Sequence, residues 1–297
     1  MRRDIEFPSE GTTCRGWFYT PGGQSTGRLP IIVMAHGFSA VKEMRLDRFA
    51  EVFAEAGLAS LVFDYRGLGA SDGEPRQDLD PHAQIVDYRN AISFLRQLPN
   101  VDTSRVGVWG TSYSGAHVLM VAALDRRVKA VVSQVPLIDG WEGMGHFAGE
   151  AGRAAMVQQL TNERERIYAG GAPVMIPVVD NSGGVAALGT PDSWEWFQLA
   201  AKTAPTWRNE VTLRSLERLL EYAPGRFIDR IAPTPLLLIA AEHDFLPLDF
   251  ARRAFDRAGE PKRMVVIPAG HFTPYEAPHF STAASEAIGW FRTHLAV

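Results

Sequence analysis

The stretch that decides the fold is Val106-Gly107-Val108-Trp109-Gly110-Thr111-Ser112-Tyr113-Ser114-Gly115. An apolar run reaches a glycine, a serine follows two residues later, and a segment of helical pattern begins at once. A tight turn from strand to helix places its middle residue, Ser112, in a strained conformation that only small neighbours permit. It also lifts the hydroxyl above the sheet at a helix N-terminus, where free N–H groups favour negative charge. The pattern is a variant of G-x-S-x-G, because Ser114 replaces the second glycine and Gly115 follows it. The sequence therefore predicts a nucleophile at Ser112.

Around this stretch, short apolar runs alternate with segments of helical pattern. The apolar runs are continuous, which indicates strands buried on both faces of a parallel sheet. Alternation of this kind joins parallel strands through right-handed helical crossovers, so the sequence predicts an α/β fold. The expected strands are 29–35, 58–63, 105–109, 128–133, 235–241 and 263–268, and the expected helices are 43–56, 84–98, 114–124, 248–258 and 281–295.

The alternation breaks between residues 137 and 224. This segment is rich in aromatic residues, and two helices are expected in it, near 149–169 and 211–222, with no clear strand between them. We interpret 137–224 as a helical cap inserted into a core formed by 1–136 and 225–297. A self-contained small domain is disfavoured, because no polar linker flanks the segment. Its aromatic side chains form either the core of the cap or the wall of a substrate pocket. The candidates for substrate binding are Trp141, Phe147, Trp194, Phe197 and Trp207.

A serine hydroxyl needs a base that removes its proton. The candidate base is His271, which lies in Gly270-His271-Phe272 just after the last expected strand. The acid that orients it is expected after the preceding strand, where Asp244 lies; Glu242 and Asp249 compete for this role. The order Ser112, Asp244, His271 along the chain is that of the α/β-hydrolase fold.

The negative charge of a tetrahedral intermediate requires preset hydrogen-bond donors. The candidates are the backbone N–H groups of Tyr113, directly after the serine, and of Phe38, which follows His36-Gly37 at the end of an expected strand. We expect His36 to hold this loop by hydrogen bonding rather than to transfer protons.

The chain has 297 residues, and its 30 basic against 34 acidic residues give a net charge of −4. This balance, without a basic run, argues against nucleic-acid binding. The single cysteine, Cys14, excludes an intrachain disulfide framework and a cysteine-based zinc site. Without an apolar stretch of bilayer length or a signal-peptide pattern, we expect a cytoplasmic protein with no membrane partner. No cofactor or metal is expected, and the sequence allows a homodimer.

Several motifs resemble those of the serine α/β-hydrolases: the serine turn, Phe63-Asp64-Tyr65-Arg66-Gly67-Leu68-Gly69-Ala70-Ser71-Asp72-Gly73, and Gly270-His271-Phe272. More narrowly, the serine turn together with residues 128–136 and 207–217 is similar to a dienelactone-hydrolase-like branch that includes fungal polyketide transferases. The likeness runs from about Ile5 to the C-terminal helix. It implies a mostly parallel eight-stranded sheet flanked by helices, with a helical cap. Dienelactone hydrolases proper carry a cysteine nucleophile, so a dienelactone substrate is not implied.

The leading hypothesis is a serine esterase or thioesterase that acts on a small-molecule acyl ester or thioester through Ser112. In the first alternative, an alcohol or amine instead of water accepts the acyl group. In the second, the chain is a non-catalytic ligand-binding protein, which is disfavoured because all three triad candidates are present. Haloalkane dehalogenases and epoxide hydrolases, which share the fold that the resemblance implies, are disfavoured as well. They carry aspartate at the position where this chain has Ser112.

Overall fold

The computed structural model describes residues 1–22 and 27–297. Within these ranges the strands are β1 (Arg2–Ser9), β2 (Thr12–Tyr19), β3 (Leu29–Ala35), β4 (Ala59–Phe63), β5 (Val101–Thr111), β6 (Val128–Gln134), β7 (Met175–Ile176), β8 (Val211–Thr212), β9 (Leu236–Ala241) and β10 (Lys262–Ile267). The helices are α1 (Leu46–Glu55), α2 (Pro81–Phe94), α3 (Tyr113–Leu124), α4 (Gly140–Tyr168), α5 (Pro191–Ala201), α6 (Arg214–Leu220), α7 (Leu248–Arg257) and α8 (His279–His294). Short 3-10 turns span Leu95–Gln97, Pro224–Arg230 and Thr273–Tyr275.

Eight of these strands form one sheet in the order β1-β2-β4-β3-β5-β6-β9-β10. The pairs from β4 to β10 are parallel, whereas β2 runs antiparallel to both of its neighbours. In the central strand β5, Trp109 pairs with Met34 on one side and Val132 on the other. All six residues of β9 are buried, as expected for a strand covered on both faces. The predicted eight-stranded, mostly parallel α/β-hydrolase sheet is thereby confirmed.

Because β3, β5, β9 and β10 are parallel, their carboxyl ends meet at one edge of the sheet. The loops that follow these strands carry Phe38, Ser112, Asp244 and His271. Ligands of open α/β sheets bind at this edge, so the topology alone brings the predicted site residues together.

The chain between β6 and β9 holds α4, α5, α6 and a separate antiparallel pair formed by β7 and β8. Helix α4 is broken at Gly149, whose φ of 68° and ψ of 176° are not helical. The two predicted helices correspond to the second part of α4 and to α6, whereas α5 and the β7–β8 pair were not predicted. The domain limits 137–224 stay a prediction. Of the helices in the described ranges, none is both long and apolar enough to span a bilayer.

Candidate active site

Ser112 occupies the turn between β5 and α3 in a strained backbone conformation, with φ 57° and ψ −116°. Its N–H donates to the carbonyl oxygen of Gln134 at 2.8 Å. Its own carbonyl oxygen accepts hydrogen bonds from the N–H groups of Ala116 and Leu137, at 3.1 and 3.2 Å. Bonds to the sheet, the helix and the chain just after β6 therefore hold the unfavourable conformation in place.

Close packing explains the small residues of the turn. A Cβ atom at Gly110 would lie 2.2 Å from the carbonyl oxygen of Ser114, and one at Gly115 would lie 2.8 Å from that of Gln134. Such contacts are much shorter than van der Waals distance, so both positions require glycine.

Ser114, the variant position, is fully buried, and its hydroxyl lies 2.8 Å from the Tyr88 hydroxyl. The Tyr88 hydroxyl also donates to the Trp109 carbonyl oxygen at 2.9 Å and accepts from the Ala35 N–H at 3.0 Å. The serine hydroxyl at this position thus joins a hydrogen-bond network beneath the turn.

The structure brings Ser112, His271 and Asp244 into one chain of hydrogen bonds. Nε2 of His271 lies 3.0 Å from Oγ of Ser112, and Nδ1 lies 2.9 Å from both carboxylate oxygens of Asp244. An Nδ1–H that donates to the carboxylate leaves the Nε2 lone pair directed at the serine hydroxyl. The imidazole is 1% exposed, and the ring of Phe245 lies 4.3 Å from it.

The two competing acids lie elsewhere. Glu242 is exposed, and Asp249 is exposed and forms an ion pair with Arg253 at 3.0 Å. Asp244 also accepts a hydrogen bond from the N–H of Leu246 at 2.9 Å, which fixes its carboxylate within its own loop. The geometry thus separates three acids that the sequence left as alternatives.

The loop after β3 lies directly against the serine. A Cβ atom at Gly37 would be 2.9 Å from Cβ and 3.4 Å from Oγ of Ser112. The next N–H along this loop, that of Phe38, has no acceptor within the described part of the chain, and neither has the N–H of Tyr113. Two unused donors therefore flank the serine.

His36 holds the start of this loop. Its Nε2 donates to the carbonyl oxygen of Met44 at 2.6 Å, and its Nδ1 accepts from the N–H of Gly37 at 2.7 Å. Complete burial lowers the pKa of His36 to about 4, so the ring is neutral at pH 7. These contacts agree with a positioning role for His36.

A buried ion pair holds the end of the same loop. Asp64 accepts hydrogen bonds from the backbone N–H of Lys42 at 2.7 Å and from its ammonium at 2.6 Å. It also accepts from the N–H of Ala70 at 3.0 Å. Both charged side chains are almost completely buried. The Phe63–Gly73 motif therefore supplies the anchor of the loop that carries Phe38.

Glu276, five residues after the histidine, joins two of the loops at this edge. Its carboxylate accepts from Nε of Arg45 at 2.5 Å and from Nη1 of Arg48 at 3.1 Å. Arg48 also donates to the carbonyl oxygen of Tyr275 at 3.0 Å. The segment after His271 is thus bonded to the start of α1.

Two cavities meet at Ser112. The larger one has a volume of about 660 Å³ including its opening, and none of the described residues that line it is charged. Its apolar wall includes Leu137, Gly143, Met144, Phe147, Leu216 and Leu219. The smaller one, of about 290 Å³ including its opening, has an aromatic wall formed by Trp196, Phe197, Phe245, Phe272 and Tyr275.

Of the five aromatic residues expected to bind substrate, Phe147 lines the larger cavity and Phe197 the smaller one. Trp141, Trp194 and Trp207 are not among the described residues that line either cavity. Trp141 is nearly half exposed. Trp207 packs behind Phe197 at a ring distance of 5.4 Å, and Trp194 is only partly buried against the core.

Trp196 was missed as a site residue, although a sequence signal exists for it. The buried residues of α5 are Ser193, Trp196, Phe197 and Ala200, a spacing of three, four and seven that defines one helical face. Trp194 lies off this face. The same spacing in the sequence assigns Trp196 to the buried face of α5 and leaves Trp194 off that face.

The described residues contain no cluster of three or more His, Cys, Asp or Glu side chains that could hold a metal ion. No Asp, Glu, Lys or Arg is among the described residues that line either cavity, so an uncharged ligand suits them better than a charged one.

The sequence model of the family described as X-Pro dipeptidyl-peptidase (S15 family) matches residues 11–273. Among curated proteins, the chain is 34% identical over 278 residues to the quorum-quenching protein AidA of Acinetobacter baumannii, covering 94% of this chain and 86% of the relative. It is 35% identical over 274 residues to the thiohydrolase aneE of Aspergillus aculeatus, covering 88% and 83%. It is 31% identical over 299 residues to the polyketide transferase af380 of Aspergillus fumigatus, covering 99% of both chains. Among solved structures, the α/β-hydrolase GrgF from Penicillium sp. superposes with a TM-score of 0.85 at 26% identity over the full length of both chains.

Proposed function

The chain belongs to the X-Pro dipeptidyl-peptidase (S15) family of α/β-hydrolases, and from this premise we propose that it cleaves a carboxylic ester or thioester through an acyl-enzyme on Ser112. The observation that carries the proposal is the continuous hydrogen-bond chain from Ser112 through His271 to Asp244, at the point where two uncharged cavities meet.

In the first step, Oγ of Ser112 attacks the acyl carbonyl carbon while Nε2 of His271 takes the hydroxyl proton. Asp244 stabilises the imidazolium that forms. The N–H groups of Phe38 and Tyr113 donate to the developing oxyanion. Collapse of the intermediate breaks the bond to the leaving oxygen or sulfur, which receives the proton from His271. Water then attacks the acyl-enzyme with the same histidine as base, and Ser112 is regenerated.

Peptide hydrolysis, which the family description suggests, is a weaker proposal. A dipeptidyl-peptidase must bind the ammonium group of a peptide N-terminus, and a desolvated ammonium requires a carboxylate partner. Of the described residues lining either cavity, none is an aspartate or glutamate. The relative named thiohydrolase supports an ester or thioester substrate.

The test uses p-nitrophenyl acyl esters and acyl thioesters of increasing chain length with wild type, Ser112→Ala and the matched control Ser285→Ala. Ser285 is exposed on α8, and its hydroxyl bonds to its own helix, so its removal is expected to change little. Ser112→Ala is expected to lose nearly all turnover while the melting temperature stays near that of wild type. Turnover retained in folded Ser112→Ala would refute the assignment.

Acyl transfer is the second candidate, since the largely aromatic wall of the cavity beside His271 offers water few hydrogen-bond partners where an acceptor would approach. The relative named polyketide transferase supports it. Product analysis with and without added alcohols separates transfer from hydrolysis. Failure of a fluorophosphonate to label Ser112 would instead favour the non-catalytic ligand-binding alternative.

A further inference from the structure

The two cavities differ in the reactive groups that line them. Ser112 and Phe38 line both cavities. His271 is among the residues of the smaller cavity, and Tyr113 is among those of the larger one. The proton donor and one of the two oxyanion donors are thus on different sides of the serine.

This division determines how an ester must lie. His271 has to deliver a proton to the oxygen or sulfur that leaves, and proton transfer requires hydrogen-bond distance. The leaving group must therefore be on the histidine side of the carbonyl carbon, which leaves the other side for the acyl chain.

Resting on the proposed function, we propose that the smaller cavity binds the alcohol or thiol part of the substrate as a compact aromatic group, and that the larger cavity binds an uncharged acyl chain. The substrate class is then an ester or thioester that joins an apolar acyl chain to an aromatic alcohol or thiol.

The wall of the smaller cavity supports an aromatic occupant. Trp196 stacks on Phe272 with ring centroids 5.1 Å apart and planes 20° apart, and it lies 5.0 Å from the ring of Tyr275. Phe197 meets Trp196 edge to face at 5.0 Å. Aromatic rings prefer such offset and edge-to-face neighbours. The described lining contains no lysine or arginine, which a phosphate-bearing thiol would require.

The same cavity serves both halves of the reaction. In acylation, the bond from Oγ of Ser112 to the acyl carbon forms, the bond to the leaving oxygen or sulfur breaks, and the serine proton passes through His271 to the departing atom. In deacylation by an alcohol or thiol, these steps run in reverse with His271 as base. An aromatic alcohol that occupies the smaller cavity therefore competes with water for the acyl group.

The experiment measures kcat/KM for acetyl and octanoyl esters of benzyl alcohol and of 1-naphthylmethanol, whose hydroxyl groups have similar acidity. Leu216→Trp fills the larger cavity, and Phe197→Ala, with Phe197→Leu as a milder variant, enlarges the smaller one. Leu199→Ala on the exposed side of the same helix is the matched control.

Leu216→Trp is expected to lower the octanoyl-to-acetyl ratio of kcat/KM about tenfold and to leave the naphthylmethyl-to-benzyl ratio unchanged. Phe197→Ala is expected to raise the naphthylmethyl-to-benzyl ratio about fivefold at a constant octanoyl-to-acetyl ratio, and Phe197→Leu to raise it by less. Leu199→Ala is expected to move neither ratio.

Active sites are counted in every preparation with a fluorophosphonate, so unfolded protein does not enter the comparison. The cavity assignment alone would be overturned if labelled, active variants changed neither ratio. It would also be overturned if Leu216→Trp changed the naphthylmethyl-to-benzyl ratio and Phe197→Ala changed the octanoyl-to-acetyl ratio instead. Wild type that neither labels nor turns over any ester would overturn the proposed function and the assignment together.

Discussion

Gly37→Ala tests whether the loop after β3 is set for catalysis. The new methyl carbon would lie 2.9 Å from Cβ of Ser112, whereas carbon atoms normally approach to about 3.5–4.0 Å, so the loop or the serine must move by about 0.6–1.1 Å. The N–H of Phe38, one residue further along, would move with the loop. A misplacement of about 1 Å in a reacting geometry lowers the rate about 100-fold. We therefore expect kcat to fall about 100-fold.

The assay is steady-state hydrolysis of an ester that wild type turns over, normalised to active sites, with thermal unfolding in parallel. KM is expected to change less than kcat, because Phe38 is the one residue of this loop that lines the larger cavity, and most of the wall of each cavity comes from other parts of the described chain. Gly289→Ala is the control: this exposed glycine of α8 has open space at the Cβ position, so we expect unchanged activity and about 0.5–1 kcal/mol of added stability. A folded Gly37→Ala protein with kcat within about twofold of wild type would show that the loop does not position an oxyanion donor.

Three further predictions follow from hydrogen bonds and burial. Asp244→Asn is expected to lower kcat on the order of 10⁴-fold, because an asparagine amide does not hold the proton of His271 on Nδ1 and so does not leave Nε2 free to accept the serine proton. Steady-state kinetics measure this, and a loss below tenfold would contradict it. Asp64→Asn leaves the ammonium of Lys42 buried without a counter-charge and is expected to reduce the free energy of unfolding by about 3–5 kcal/mol in urea titrations. Burial lowers the pKa of His117 to about 3, so below pH 6.5 the unfolded chain binds a proton that the folded chain does not. Stability is then lost as the pH falls from about 6.5 towards 3, by up to about 1.4 kcal/mol per pH unit from this residue, and His117→Gln should flatten that slope between pH 4 and 6.

The sheet could be predicted because its signals are local. Continuous apolar runs mark the parallel strands, and the glycine–serine turn after β5 requires residue types that few other structures need. The positions of Ser112 and His271 follow from the same logic, since Ser112 directly follows β5 and His271 lies in the loop after β10. The sequence alone does not separate Asp244 from Glu242, because the two residues lie in one loop and only the direction of each side chain distinguishes them.

The segment between β6 and β9 was predicted less well for a physical reason. Helix α5 lies among glycines and prolines, and β7 and β8 have two residues each, too few for an alternating pattern to appear. An aromatic side chain is equally suited to a core and to a pocket wall, and composition does not distinguish the two. Trp141 is thus nearly half exposed, whereas Trp196, which lies between the expected site residues Trp194 and Phe197, lines the smaller cavity.

The bonds of Glu276 to Arg45 and Arg48 have a consequence for how such proteins diverge. They couple the segment after His271 to the start of α1, which follows the loop that carries Phe38. Because Glu276, Arg45 and Arg48 all lie outside the chain between β6 and β9, exchanging that stretch for a relative's would change the walls of the cavities but keep this link between the two loops. In such proteins the set of substrates can change while the link between these two loops is kept.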